Sequence, residues 1–257
     1  MLDLLNFHKI EVLPTRPSSP NEQYKGTCPF CGSEKFFVNV SKQTWDCKPC
    51  AVAGNQYTLL TMLHDRCLQK TTDAHLQGLC SKRKGIIPGS LKAAKFAWDD
   101  SHRRWLVPYQ NGSEFLNNLG AFYPDTGFKI FKSPGMALKL YRPTNPKTLE
   151  ENVIIVEGEW DLLAFLPHLP EGYSIVAVPG AMTFKPEFIP AFQDRYVHLV
   201  YDRDDAGKSG ISKAVRLLGP VAKGINYLQW PEEFHFPSAD DSTKPGKDVR
   251  DLVSHLS

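Results

Sequence analysis

Two pairs, Cys28-x-x-Cys31 and Cys47-x-x-Cys50, stand fifteen residues apart and constrain this chain more than any other feature. A Cys-x-x-Cys turn brings two thiolates to one side of a tight knuckle. Two such knuckles facing each other make the closed tetrahedral shell of a structural zinc ion. The pairs carry turn residues, Cys28-Pro29-Phe30-Cys31-Gly32 and Cys47-Lys48-Pro49-Cys50, and the stretch between them alternates as a hairpin does, Phe36-Phe37-Val38-Asn39-Val40 then Thr44-Trp45. A zinc ribbon is expected, with one zinc per chain. Four protein ligands leave no open position, so that zinc is expected to be structural. Cys67 and Cys80 have no spaced partner and read as bystanders. Lys35, Lys42, Trp45 and Lys48 lie in the ribbon, and two readings of them stay open: a basic, aromatic surface for an unstacked nucleic-acid strand, or solvated lysines around a core tryptophan.

The chain changes character at Asn152. VIIVEG, SIVAVPG and YVHLVYDRD read as buried strands, with helices expected over 159–166, stopped by Pro167, and over 208–218, ended by Gly219-Pro220; NYLQW reads as a fourth strand. Apolar strands alternating with helices predict a mainly parallel sheet covered on both faces. The strand ends are acidic. Glu157 closes the first, with Glu159 and Asp161 just beyond; Asp202 and Asp204 close the third, followed by Asp205; Asp248 and Asp251 come later. Ligands of open α/β sheets bind outside the carboxyl ends of the strands, and two aspartates two apart on extended backbone point the same way. Clustered carboxylates repel unless a cation neutralises them, so a divalent metal site is expected there. Glu159 and Asp205 serve equally well as ordinary helix-start acids.

Upstream, a helix is expected over 56–67, a polar linker over 69–85, and short strands in RWLVPYQ, SEFLNNLGAFY and GFKIFK separated by turns at Asn111-Gly112, Asp125-Thr126-Gly127 and Pro134-Gly135. The linker and the polar run 238–246 are the expected flexible pieces. Charge is split along the chain. Residues 1–150 carry 20 Lys and Arg against 12 Asp and Glu, and residues 151–257 carry 10 against 16. A basic front suits a polyanion and an acidic back suits a hard cation. No apolar run long enough to span a membrane occurs, and Met1 to Pro14 has no signal-peptide pattern; a cytoplasmic protein is expected. Gly207-Lys208-Ser209 resembles the tail of a P-loop, but Asp202 occupies the position where that motif needs its first glycine.

Taken in order, these residues resemble a known family. Glu157-Gly158-Glu159-Trp160-Asp161, Asp202-Arg203-Asp204-Asp205-Ala206-Gly207 and Lys247-Asp248-Val249-Arg250-Asp251 resemble the TOPRIM domain of primases, topoisomerases and some nucleases. The ribbon followed by Ala53-Gly54-Asn55 is similar to that of phage primase–helicases. Lys84-Gly85-Ile86, Arg104-Trp105-Leu106-Val107-Pro108-Tyr109 and Lys129-Ile130-Phe131-Lys132-Ser133-Pro134-Gly135 resemble the small subdomain that precedes TOPRIM in DnaG-type and phage primases.

The resemblance implies an α/β TOPRIM domain at 149–257, a small basic α+β subdomain at 85–148, a linker at 68–84 and the zinc ribbon at 1–67. It implies Mg²⁺ or Mn²⁺ held by Glu157, Asp202, Asp204 and Asp248, the first three being catalytic and Glu157 also a candidate for moving a proton. Glu159, Asp161, Asp205 and Asp251 are weaker carry-overs. Lys129, Lys132, Lys139, Arg104, Arg142 and Trp45 are the implied contacts to nucleotide or template. Arg203 stands between the aspartates where relatives often have a small or apolar residue, and Arg250 stands where many have Asn or Asp. The implied activity is a DNA primase making short RNA primers on single-stranded DNA from ribonucleoside triphosphates, for replication of a phage or other mobile element. It would work beside a separate helicase or prime alone. Two other readings stay open: a TOPRIM nuclease that uses the same acids with water as the nucleophile, and a non-catalytic zinc-ribbon DNA-binding adaptor that does not depend on them.

Overall fold

The computed structural model describes residues 1–15, 23–110, 112–127, 129–143, 148–180, 183–230 and 235–256. They form two compact units, one of residues 1–71 and 96–138 and the other of 72–95 and 139–257. Among the described residues no helix is long and apolar enough to cross a membrane.

In the first unit, α1 (Leu2–Phe7) precedes an antiparallel sheet of β1 (Val12–Pro14), β2 (Gln23–Gly26), β3 (Phe36–Asn39), β4 (Thr44–Cys47) and β5 (Val52–Asn55), which neighbour one another in chain order. β3 and β4 are the expected hairpin, with Phe36 opposite Cys47 and Val38 opposite Trp45. The period of two sends Phe36, Val38 and Trp45 inward, onto Leu5, Ile10 and Leu59. Helix α2 (Gln56–Leu68) starts where Asn55 accepts hydrogen bonds from the Tyr57 and Thr58 amides, and Thr58 Oγ1 accepts one from the Asn55 amide, a reciprocal cap. A second antiparallel sheet follows: β6 (Ala97–Asp99), β7 (Arg104–Tyr109), β8 (Asn118–Phe122) and β9 (Ile130–Phe131). α2 serves both sheets. Its Leu59 belongs to the ribbon core, and the adjacent Leu60 packs with Ala97, Leu106 and Leu119. Of the expected turns, Asn111 lies outside the described residues, as does Phe128 of GFKIFK.

Two expected nucleic-acid contacts are corrected here. Trp45 is 2 % exposed, lies against Phe30 and Phe36, and donates its indole N–H to the Asn55 carbonyl at 2.8 Å. It is the core tryptophan of the ribbon, with no ring face open to a base. Arg104 is also 2 % exposed; its Nε donates to Asp99 at 2.9 Å, and its remaining donors reach the Phe7 and His8 carbonyls. This guanidinium ties α1 to the second sheet and cannot reach a phosphate. Removing one partner of a buried pair leaves an uncompensated charge, so Arg104→Met is expected to cost about 3–5 kcal/mol of stability, read from the urea midpoint.

The second unit contains α3 (Asp73–Lys82), α4 (Pro88–Ala93), β10 (Asn152–Val156), α5 (Glu159–Phe165), β11 (Tyr173–Ala177), β12 (Tyr196–Val200), α6 (Asp205–Leu218), β13 (Gly224–Tyr227) and α7 (Val249–Leu256). The sheet is wholly parallel, in the order β11-β10-β12-β13. Val153 and Ile155 of β10 face one core, with Val176, Leu199 and, from α6, Ala214 and Leu218. Ile154 and Val156 face the other side and are also buried. Burial on both faces is why β10 reads as an unbroken apolar run; each such side chain contributes about 1.5–3 kcal/mol. β13 uses only Asn226 and Tyr227 of the predicted fourth strand, starting two residues earlier, and α6 begins three residues before its predicted start.

The segment expected to be a linker holds α3. Thr72 caps it through the His75 amide, and Leu76 and Leu79 bury on one side. An apolar stripe only two residues long hardly shows above a polar composition. The expectation of flexibility at 238–246 is corrected as well. Ser238 N donates to the Lys244 carbonyl, Gly246 N to the Phe236 carbonyl, and the Asp240 carboxylate is held by Arg83 and Arg250. Polar side chains here form internal ion pairs rather than facing water alone.

Candidate metal centres and nucleotide site

Within the first unit the four cysteines converge. Cys28 Sγ is 3.8 Å from Cys50 Sγ, Cys31 Sγ is 3.6 Å from Cys47 Sγ, and all four sulfurs lie within 4.8 Å of one another. A zinc–sulfur tetrahedron with bonds of about 2.3 Å has edges of about 3.8 Å, so the set fits zinc with little adjustment. The knuckle supplies a backbone N–H to sulfur, from Phe30 to Cys28 at 3.4 Å. The Ser33 amide draws Cys31 down to about 7, whereas burial raises Cys28 and the Cys31 sulfur raises Cys50. Cys67 and Cys80 stand apart from this group, and burial pushes both thiols up to about 11. Among the described residues no other three His, Cys, Asp or Glu side chains bring ligand atoms so close together; the acids of the second unit form a looser set.

Those acids sit at the reversal of strand order. β10 and β12 are parallel neighbours with Val156 opposite Val200, while β11 follows β10 on the other side. Glu157 leaves the end of β10 beside the segment that carries Asp202, and its Oε2 accepts a hydrogen bond from the Asp202 amide at 3.4 Å. Burial raises Glu157 above the usual carboxylate range. Burial, reinforced by the charges of Asp161 and Glu157, pushes Asp202 up to about 9. Asp204 goes the other way, because its Oδ1 caps α6 by accepting from the Gly207 amide at 2.9 Å. Gly207 is required: a Cβ there would collide with the Asp202 carbonyl oxygen. The first turn of α6 thus lies directly on the backbone that aims the Asp202 carboxyl.

Lys247, which the sequence reading left without a role, enters this group. Its Nζ is 3.1 Å from Asp204 Oδ2 and 3.6 Å from Asp202 Oδ2. Its signal was present in the sequence, as the residue before Asp248 in a segment already singled out. A buried ionic network lies beside it. Arg250, 3 % exposed, donates to both oxygens of Asp240 at 3.0 and 2.8 Å and lies 3.8 Å from Asp248 and 3.7 Å from Asp251. Arg83 also pairs with Asp240 and stacks on Trp160. Asp251 accepts from the Ala239 and Lys247 amides at 2.7 and 3.0 Å, so its oxygens are occupied within the chain. Burial raises Asp248; burial and then Asp248 push Asp161 up to about 7. Glu159 is buried near the Tyr141 hydroxyl, and Asp205 is fully exposed beside Lys208 at 3.6 Å. The structure therefore gathers Glu157, Asp202 and Asp204 around one point, sets Asp161 and Asp248 next to them, and gives Asp205 and Asp251 roles at helix starts and in the network.

Three crowded carboxylates, of which Glu157 and Asp202 are pushed toward protonation, with a lysine ammonium between Asp202 and Asp204, make a donor set that fits a hard divalent cation. A cavity of about 780 Å³ opens beside it, lined by Asp202, Arg203, Lys208, Tyr227 and Trp230 among others. Trp230 is fixed there by its N–H to the Tyr201 carbonyl at 2.8 Å. That volume lies within the usual range of small-molecule sites. Of the basic residues expected to touch nucleotide or template, Lys129 lies exposed over the Phe131 ring and Lys132 lies over Tyr109, both in the first unit. Lys139 and Arg142, in the second unit, flank the segment whose Tyr141 exchanges backbone hydrogen bonds with Ala177 at the β11 edge.

Comparison with solved structures bears on this arrangement. The zinc-binding and RNA polymerase domains of the Aquifex aeolicus primase superpose with a TM-score of 0.51 at 16 % identity, covering 90 % of this chain and 78 % of that one. The primase fragment of the bacteriophage T7 primase-helicase gives 0.51 at 16 %, covering 89 % and 94 %. This chain has the primase fold. The DnaG primase catalytic domain bound to single-stranded DNA gives 0.54 at 16 %, covering 69 % of this chain and 71 % of its own. No protein-family model and no curated protein matches the chain. With the four-cysteine cluster, the primase fold makes the chain a zinc ribbon plus a TOPRIM-like domain.

Proposed function

We propose that this chain is a DNA primase, a nucleotidyltransferase that starts short RNA primers on single-stranded DNA, in the replication of a phage or other mobile element. The observation that carries the reading is the meeting of Glu157, Asp202 and Asp204 at the switch point of the parallel sheet, in a chain that also holds a four-cysteine ribbon. Glu157, Asp202 and Asp204 are proposed to hold Mg²⁺ or Mn²⁺, with Asp248 beside them. When bound, such an ion supplies charge neutralisation at the phosphates and lowers the pKa of the attacking 3′-hydroxyl. The chain's own groups do the placing. The cavity beside Asp202 takes the nucleotide, with Arg203 and Lys208 toward its phosphates and Tyr227 and Trp230 toward its base. Glu157, already shifted toward the protonated state, is a candidate to accept the hydroxyl proton. Lys129, Lys132, Lys139 and Arg142 are proposed contacts to triphosphate or template, and a separate replicative helicase is the expected partner.

The test is direct. Purified protein, single-stranded DNA of mixed sequence, labelled ribonucleoside triphosphates and Mg²⁺ or Mn²⁺ are expected to give short products without an added primer. Asp202→Ala and Asp204→Ala are expected to abolish them. Cleavage of the DNA without nucleoside triphosphates would instead identify a nuclease, and binding without either reaction an adaptor.

A further inference from the structure

Lys247 occupies a place that the acid site needs filled. Its backbone is fixed on both sides: its carbonyl accepts from the Arg203 amide at 2.7 Å, and its amide donates to Asp251 at 3.0 Å. The first of these bonds ties Lys247 to the residue between the two aspartates, so the ammonium is aimed by the same loop that carries its partners. It lies 3.1 Å from Asp204 and 3.6 Å from Asp202, the spacing of one cation shared by two carboxylates. The side chain is also 56 % exposed, so it has room to swing into water. An ammonium carries one charge and binds through single contacts, whereas a divalent ion carries two and takes several oxygens at about 2.0–2.6 Å.

We propose that Lys247 is a tethered cation that holds Asp202 and Asp204 in place in the metal-free protein and is displaced when a divalent ion enters, so that it sets the metal concentration at which the site loads. The inference rests on the reading of Glu157, Asp202 and Asp204 as metal ligands. It goes further by assigning a competitor within the chain, and it predicts that the released ammonium becomes free as the metal binds. Exposed ion pairs are individually weak, so the competition is a tuning rather than a block.

The experiment uses the full zinc-loaded chain without nucleotide or DNA, titrated with Mn²⁺ while free Mn²⁺ is followed by electron paramagnetic resonance. Binding at the site is the part lost in Asp202→Asn. Lys247→Met is expected to tighten that binding severalfold, as the loss of the competing contacts, the ion pair to Asp204 above all, allows, while Lys247→Arg keeps it near wild type. A second readout needs no variant at position 247. Lys247 in the wild-type chain is expected to react severalfold faster with an amine-directed reagent once Mg²⁺ is added, measured by peptide mass mapping, with no such change in Asp202→Asn. Unchanged or weaker Mn²⁺ binding in Lys247→Met, or labelling of Lys247 that Mg²⁺ leaves unchanged or slows, overturns the proposal. Since neither readout contains template or nucleotide, failure of primer synthesis leaves both intact; absence of any Asp202-dependent metal binding removes the proposal and its premise together.

Discussion

Stripping the metal from the four-cysteine site is expected to unfold the ribbon while the parallel-sheet unit stays folded. Four sulfurs already spaced for a tetrahedron have little but the ion to hold them there, because bare thiolates repel and the knuckles themselves bury only small surfaces. Structural zinc in comparable sites contributes about 10–16 kcal/mol at neutral pH, more than a core this small supplies. Its two largest buried side chains, Phe36 and Trp45, lie with Val38 on the hairpin whose last residue is Cys47. Trp45 makes a convenient reporter, since it is buried against Phe30 and Phe36. Chelation, or Cys47→Ser, is expected to shift Trp45 emission to the red and to release one zinc per chain, with the far-ultraviolet signal of the α/β unit largely kept. Retention of the buried emission after complete loss of zinc would show a ribbon that folds without metal. Because Leu60 of α2, one residue from the ribbon's Leu59, packs on the second sheet, that sheet is expected to loosen as well.

What could be read from the sequence follows a physical divide. The cysteine spacing, the hairpin alternation and the buried runs of β10 to β12 are periodic or apolar signals, and the structure repeats them within one to three residues. The acids were legible as residues that follow apolar strand runs, although Asp202 and Asp204 lie just past the end of β12 at Val200, with Asp204 capping α6. Roles that depend on polar partners far along the chain were not legible. Arg104 read as a contact to nucleotide or template and Arg250 only as a departure from the family pattern, yet both are buried because Asp99, Asp240 and main-chain carbonyls surround them. Trp45 carried two readings, and its 10-residue bond to Asn55 decided for the core. Helix α3 was hidden by its polar composition, and Lys247 by lying in a segment where only the acids drew notice. Such pairings are contacts made by the fold, and nothing in a window of ten residues encodes them.

Asp202→Asn is expected to separate function from stability. The amide keeps the shape of the carboxylate but not its charge, so the ligand set loses a mostly buried member; a drop in primer synthesis of about 10³-fold or more is expected for a group that stabilises charge at the reacting centre. Stability should move the other way in metal-free protein. Asp202 is held up to about 9 by burial and by Asp161 and Glu157, against about 3.9 in an unfolded chain. The folded state therefore binds the extra proton between those values. The stabilisation tied to that proton is complete below about pH 4 and lost as pH rises through about 9. Wild-type protein without metal is expected to lose melting temperature across pH 5 to 9 at this site, Mg²⁺ is expected to restore it at the alkaline end, and Asp202→Asn to flatten the profile and ignore Mg²⁺. Functional sites commonly trade stability for charge in this way. Thermal unfolding in buffers with and without Mg²⁺ measures it. A wild-type profile as flat as that of Asp202→Asn would mean that the acids are already compensated, by Lys247 and its neighbours, without any divalent ion.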